Sequence, residues 1–247
     1  MRAPARRVQW IMEKGRTTLA AKGTNMKKRF KDRREAGLAL ANRIELRGLD
    51  NPVVLALPRG GLPVGAEVAR ALGAPLDVLV VRKLGFPVQP ELAMGAVASG
   101  GILVMNPEVM ESAGLSEEAI RPVLEEETRE LARRERVYRG SRAPVDVGGR
   151  IAIVVDDGVA TGSSMLAAIR SLRPRGAARI IAAVPVAPAE TIERLEAEAD
   201  AVVCLAAPEP FYAISVWYES FPQLTDDEVR TILDAEDTRA ADSRKNG

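Results

Sequence analysis

The run Arg150-Ile-Ala-Ile-Val-Val-Asp-Asp-Gly-Val-Ala-Thr-Gly-Ser-Ser-Met165 constrains the fold more than any other part of the chain. Ile151, Ile153, Val154 and Val155 belong to one apolar, β-branched stretch, the pattern of a parallel strand covered on both faces. Asp156 and Asp157 stand where that strand must end, at the edge where open α/β sheets bind ligands. Thr161, Ser163 and Ser164 are residues of the N-cap type. They precede an apolar periodicity of Met165, Leu166, Ile169 and Leu172, which predicts a helix.

A loop that winds into a helix N-terminus offers free backbone N–H groups and the positive end of the helix dipole, which suits a phosphate. Gly158 and Gly162 let the backbone approach it, and the hydroxyls of Thr161, Ser163 and Ser164 add donors. Two adjacent carboxylates accept hydrogen bonds only. They repel a phosphate and suit a vicinal diol. A ribose 5-phosphate satisfies both halves, with its phosphate in the loop and its hydroxyls on Asp156 and Asp157. The plainer alternative is a strand-turn-helix connection with an acidic turn and a good cap. It accounts for one Asp and one Ser but not for the whole set.

Val154-Val-Asp-Asp-Gly-Val-Ala-Thr-Gly-Ser-Ser164 resembles the phosphoribosyl-pyrophosphate motif of type I phosphoribosyltransferases. It has the hydrophobics, two acids, three variable residues, Thr-Gly and a hydroxyl residue. The resemblance implies an α/β fold with a doubly wound, mostly parallel sheet, helices on both faces and small hairpin or hood elements. It also implies that Asp156 and Asp157 hold the ribose hydroxyls. The span Gly158, Val159, Ala160, Thr161, Gly162, Ser163 and Ser164 would then form the 5-phosphate loop.

Composition narrows the chemistry. The chain has no histidine among its 247 residues, which removes Ser-His-Asp and Cys-His catalysis, imidazole bases and His-ligated zinc. Any metal should be a hard cation held through oxygen, and beside phosphates that is magnesium. The only cysteine, Cys204, lies in the apolar run Ala201-Val-Val-Cys-Leu205 and reads as a small buried hydrophobe. It excludes an internal disulfide and points to the cytoplasm. The net charge of +1 argues against a whole-molecule nucleic-acid or membrane surface. Trp10-Ile-Met12 is too short for a span or a signal core.

Three units are expected: a disordered basic extension over residues 1–25, a domain over 26–235, and a disordered polar tail over 236–247. Nucleic-acid contact by the basic arm is disfavoured but left open. Within the domain, Phe30 to Arg47 reads as a helix stopped by Gly48. Pro52-Val-Val-Leu-Ala-Leu57 reads as the first buried strand. It runs into Pro58-Arg-Gly-Gly61 and a helix from Leu62 to Leu72. This is again a phosphate-binding layout, with the cation Arg59 in the turn. Arg59, Gly60 and Gly61 resemble the family's pyrophosphate loop, and Arg59-Gly-Gly-Leu is similar to that of bacterial xanthine-guanine phosphoribosyltransferases. The family often holds this loop with a non-proline cis peptide.

Pro75 to Val81 reads as the second strand, carrying Arg82 and Lys83 to the same sheet edge, near the pyrophosphate in similar family members. Phe86 to Pro90 reads as a loop. Glu91 reads as a loop carboxylate, with a substrate-side role as the alternative. Ala96 to Met105 reads as a hairpin around Gly100-Gly101, and Asn106 as the opening of a short helix. Ser116 opens a long, densely charged helix to Arg139, stabilised by Glu125–Arg129 and Glu130–Arg134 at i,i+4 spacing. Arg133, Arg134, Tyr138 and Arg139 are expected on its solvated face, with pyrophosphate contact as the alternative. Two more strands, Arg179 to Pro185 and Ala201 to Leu205, flank a helix over Ala189 to Glu198. The aromatics Phe211, Tyr212, Trp217, Tyr218 and Phe221 form either a C-terminal strand or a wall that stacks on a flat acceptor. A helix from Asp226 to Leu233 closes the domain.

The resemblance implies displacement of pyrophosphate from phosphoribosyl pyrophosphate by a nucleobase-like nitrogen acceptor, through an oxocarbenium-like transition state. Arg59, Lys83 and the Gly60-Gly61 backbone would stabilise the leaving group, with magnesium carried by the substrate rather than by a dedicated protein site. One departure matters. Hypoxanthine-guanine members carry an Asp before the Thr-Gly, where this chain has Ala160. That weakens a purine-salvage assignment of this kind, looks more like adenine-type members, and leaves the acceptor open, as it does a homodimer. The rival class is a non-catalytic regulator sensing the same sugar phosphate. A phospho-receiver domain would place its acids near the first strand, and none are there.

Overall fold

A computed structural model describes residues 17–20, 29–44, 49–86, 89–105 and 117–245. Nine strands and six α-helices are described. They are β1 (Thr17–Ala20), α1 (Arg33–Ala41), β2 (Pro52–Ala56), α2 (Gly61–Leu72), β3 (Leu76–Val78), β4 (Val81–Phe86), β5 (Gln89–Ala98) and β6 (Ile102–Met105). These are followed by α3 (Glu117–Arg139), β7 (Ile151–Val155), α4 (Ser163–Leu172), β8 (Arg179–Val186), α5 (Ala189–Glu198), β9 (Ala201–Ala206) and α6 (Asp226–Lys245). A 3-10 turn, Ile214–Trp217, lies between β9 and α6.

Six strands form a parallel sheet in the order β1-β9-β8-β7-β2-β3. Both faces are covered, as the continuous apolar strands require. Val54, Ala56, Ile153 and Val155 face one core layer with Leu40 of α1, Leu62 and Val68 of α2, Leu131 of α3 and Val229 of α6. Val53, Leu55, Ala152 and Val154 face the other, with Met165 and Ile169 of α4 and Ile192 and Leu195 of α5. The chain winds outward from β2 to β3, then returns to β7 and winds the other way to β8 and β9. The order therefore reverses between β2 and β7, whose register pairs Ala56 with Val155. This is the switch point at which doubly wound sheets open a crevice beyond their strand ends.

Several expectations need correction. Thr17–Ala20, assigned to a disordered extension, pairs in parallel with β9. The first helix starts at Arg33 rather than Phe30. Phe30 instead bridges the 217–219 segment, with its N–H on the Trp217 carbonyl at 2.9 Å and its carbonyl accepting from Glu219 N at 2.8 Å. Asp32 caps the helix by accepting from Glu35 N. The expected second strand breaks in two. The ladder ends at Val78, and Val80 turns away because Ser99 holds it, donating to its carbonyl and accepting from its N–H. β4 then joins an antiparallel sheet β4-β5-β6, so Arg82 and Lys83 lie on that sheet and not on the parallel one. The expected hairpin at Gly100-Gly101 is present.

Tyr138 and Arg139 are buried rather than solvated. Arg139 pairs with buried Asp77 at 2.9 Å and donates to the Val78 carbonyl at 2.6 Å. The closing helix runs to Lys245 instead of stopping at Leu233, so residues 236–245 of the expected tail are helical. Buried Glu236 anchors it, accepting from Arg70 at 2.6 Å. The remaining basic arm with Met26, the Gly48 stop, the Glu91 side chain, the short helix at Asn106 and the start at Ser116 lie outside the described residues.

Arg139 and Asp77 join α3 to β3 without solvent screening, so removing one charge strands the other. Arg139→Met is expected to lower the unfolding free energy by about 3–5 kcal/mol in urea denaturation. A change below about 1 kcal/mol would contradict this role.

Candidate active site

Two loops leave the carboxyl edge of the parallel sheet at its switch point, one after β2 and one after β7. The first is Pro58-Arg-Gly-Gly61, with a cis peptide between Pro58 and Arg59. Leu57 N bonds to the Val155 carbonyl at 2.9 Å, so this loop starts against the end of β7. Neither glycine has room for a side chain. A Cβ on Gly60 would lie 2.0 Å from Asp157 Oδ2, and one on Gly61 would lie 2.7 Å from the Val155 carbonyl and 3.3 Å from Asp156 Oδ1. The Arg-Gly-Gly turn therefore lies directly on the acid pair.

The second loop runs from Asp156 to Ser164. Gly162 caps α4 in the left-handed region, with φ 80°, in place of the expected hydroxyl residue. Its Leu166 N bond is the first of the helix, so the amides of Ser163, Ser164 and Met165 have no acceptor within the helix. The loop is fastened from α5. Thr191 Oγ1 donates to the Ala160 carbonyl at 2.6 Å, and Arg194 donates to the Thr161 carbonyl at 2.9 Å. Val159 N bonds to the Val186 carbonyl at 2.9 Å, and Ile214 packs where a Cβ on Gly158 would lie. Carbonyls thus face the protein, which leaves a helix N-terminus and the hydroxyls of Thr161 and Ser163, 3.3 Å apart, on the outer side.

The two acids differ. Asp157 is buried, and Arg33 of α1 donates to its Oδ2 at 2.7 Å. Asp156 is only part-buried, and its Oδ1 accepts from Asp157 N at 2.9 Å. Burial pushes the Asp156 carboxyl well above the ordinary range, and the neighbouring Asp157 charge adds to this. Burial also raises Asp157, but there the Arg33 guanidinium opposes it. Tyr218 holds the same turn, with its hydroxyl donating to the Asp157 carbonyl at 2.6 Å. Burial raises the Tyr218 pKa, so it stays a donor.

The cations separate. Arg59 leans on Asp226 at the start of α6, at 3.7 Å. Asp226 also accepts from the Tyr138 hydroxyl at 3.1 Å. Arg82 is committed to Glu127 of α3 at 2.6 Å. Lys83 lines a cavity of about 140 Å³ between the antiparallel sheet and α4, together with Ser163, Ser164 and Arg170. The aromatics form neither a strand nor one wall. Tyr218 is buried between Phe30 and Phe221, whereas Tyr212 is exposed. Arg33, Tyr218, Ile214 and Asp226 were not singled out from the sequence as site residues in these roles. No local spacing signals them, since Arg33 and Asp157 are 124 residues apart.

The chain belongs to the phosphoribosyl transferase domain family, whose sequence profile matches residues 32–217. A Mycobacterium tuberculosis protein, provisionally named a phosphoribosyl transferase, is 46% identical over 207 residues in both strain H37Rv and strain CDC 1551. The match covers 84% of this chain and 47% of that protein, so the chain spans about half the length of these curated relatives. The crystal structure of TT1426 from Thermus thermophilus is 44% identical, with a TM-score of 0.76, and covers 83% of this chain and 97% of that one.

Two outcomes follow from this geometry. Gly60→Ala forces its methyl into a buried carboxylate and is expected to lower stability by about 1–3 kcal/mol in urea denaturation, and wild-type stability would contradict the close approach. Burial pushes the Cys204 thiol up to about 11. At pH 8 its thiolate fraction is then on the order of 0.1%. Iodoacetamide should label it only after unfolding, and fast labelling of the folded protein would contradict its burial.

Proposed function

We propose that the crevice at the β2–β7 switch point binds phosphoribosyl pyrophosphate with magnesium and transfers its phosphoribosyl group to a nucleobase-like nitrogen, releasing pyrophosphate. The observation that carries this reading is the contact of the Arg59-Gly60-Gly61 turn with the Asp156–Asp157 pair at the switch point. One ligand with anionic groups at both ends and a diol between them matches a loop, an acid pair and a second loop. The 5-phosphate lies on the amides and hydroxyls of Ala160 to Ser164, at the N-terminus of α4. Asp156, the more open acid, accepts from the ribose hydroxyls, with Asp157 beside it. The pyrophosphate lies along Gly60-Gly61, where Arg59 exchanges Asp226 for phosphate oxygens.

In the reaction the C1–oxygen bond to pyrophosphate breaks and a C1–nitrogen bond forms. The electron pair leaves with pyrophosphate, and the proton of the acceptor nitrogen passes to the departing pyrophosphate or to solvent. Ala160 offers no carboxylate to take that proton. Magnesium would arrive on the substrate's own phosphate oxygens, where it would neutralise the leaving group. Arg82 and Lys83 belong to this account more loosely. Lys83 shares its cavity with Ser163 and Ser164, which places it at the 5-phosphate end in this reading, and Arg82 must leave Glu127 to take part. The lone buried thiol suits the cytoplasm.

Purified protein with magnesium and phosphoribosyl pyrophosphate is expected to release pyrophosphate when the right base is supplied from a panel. Arg59→Ala should slow this release by about 10²–10³-fold while ribose 5-phosphate affinity stays within a few fold. Unchanged release would contradict the role of the turn. Tight binding with no release across purines, pyrimidines and other amines would mark a regulator.

A further inference from the structure

Arg33 is the one cation in contact with the acid pair among the described residues, and it belongs to none of the motifs that define the site. Its Nε donates to Asp157 Oδ2 at 2.7 Å and its Nη1 to the Pro222 carbonyl at 2.7 Å. Its guanidinium lies 3.7 Å from the Phe221 ring centroid. All but 8% of the residue is buried. Three contacts, one on the loop after β7 and two on the 221–222 segment, fix the guanidinium, and burial removes the screening that makes surface pairs weak. The other groups facing Asp157 are Asp156 from the end of β7, Tyr218 from the 3-10 segment and the Gly60 backbone. Arg59 reaches Asp226 instead, at 3.7 Å.

We propose that Arg33 is a positioning residue that makes Asp157 the first acid of the motif to ionise and holds it against Gly60 in the pyrophosphate turn. Two carboxylates sharing a buried site resist ionising together, and one of them then keeps its proton. A protonated acid gives up part of its acceptor capacity toward a diol. Arg33 offsets part of the charge of Asp157, so Asp156 ionises at a lower pH than it would beside an unpaired carboxylate. Because the guanidinium also grips Pro222 and Phe221, the 218–222 segment and α1 are fixed to the same acid. The inference rests on the ribose-phosphate reading for its consequence but not for its first test.

That test is a carboxyl ¹³C NMR titration of the ligand-free wild-type protein, with the two signals assigned through Asp156→Asn. Asp157 should ionise at lower pH than Asp156, and the reverse order overturns the proposal. The second test is calorimetric binding of ribose 5-phosphate between pH 5 and pH 9. Removing a positive charge favours the protonated acids, so in Arg33→Met the acidic limb of affinity should move up by about one pH unit or more. Arg33→Lys should return the limb toward wild type while affinity at pH 8 remains several-fold lower, because an ammonium cannot make all three contacts. A limb that does not move in folded Arg33→Met overturns the proposal, as does a lysine variant that restores nothing. If Arg33→Met does not fold, the wild-type titration and the lysine variant decide. If wild type binds no ribose 5-phosphate at any pH, the ribose-phosphate reading fails, and the order of ionisation still decides the role of Arg33.

Discussion

The contact between the Asp157 carboxylate and the Gly60 backbone is the constraint on which the site depends. It joins the loop after β2 to the loop after β7 at the one place where the sheet reverses its winding. The acid can sit there because Arg33 reaches it from α1 at 2.7 Å, and the turn can sit there because Gly60 and Gly61 carry no Cβ. A buried carboxylate without a partner would take up a proton or draw in water. With its partner it keeps its place beneath the Arg-Gly-Gly turn.

The surrounding charges fall into two sets. Asp77 with Arg139, and Glu236 with Arg70, are buried or half-buried pairs that tie α3 to β3 and α6 to α2. They hold the frame. The second set meets the loops: Arg33 on Asp157, Asp226 on Arg59, and Arg194 and Thr191 on carbonyls of the loop after β7. Each member comes from outside the two motifs. The frame set keeps α6 in place, and through it Asp226, so Arg59 in the turn after β2 is linked to the last helix.

Much of this was legible in the residues. The β-branched run Ile151–Val155 is a central strand buried throughout, and Met165, Ile169 and Leu172 form the buried face of the following helix. Strand alternation with helices predicted the doubly wound sheet, and Gly60-Gly61 marked a Gly-rich turn between strand and helix, although the packing of those glycines on a carboxylate was not legible. What escaped was tertiary. The break after Val78 has no local signal, because Leu79 and Val80 look like strand continuing from it. Only Ser99, nineteen residues beyond Val80, draws that residue into the second sheet. Arg139 reads as one more charge on a polar helix until Asp77 is brought beneath it. Polar residues beyond Leu233 read as a tail because Arg70, the partner of buried Glu236, lies 166 residues away.

The central claim is that both loops and the acid pair hold one sugar phosphate. A crystal structure of the protein soaked with magnesium and phosphoribosyl pyrophosphate tests it most directly. The account predicts the 5-phosphate on the amides of residues 160–164, ribose hydroxyls within hydrogen-bond distance of Asp156, and pyrophosphate along Arg59 to Gly61. Ligand bound elsewhere, with no contact to Asp156 or to residues 59–61, would contradict it.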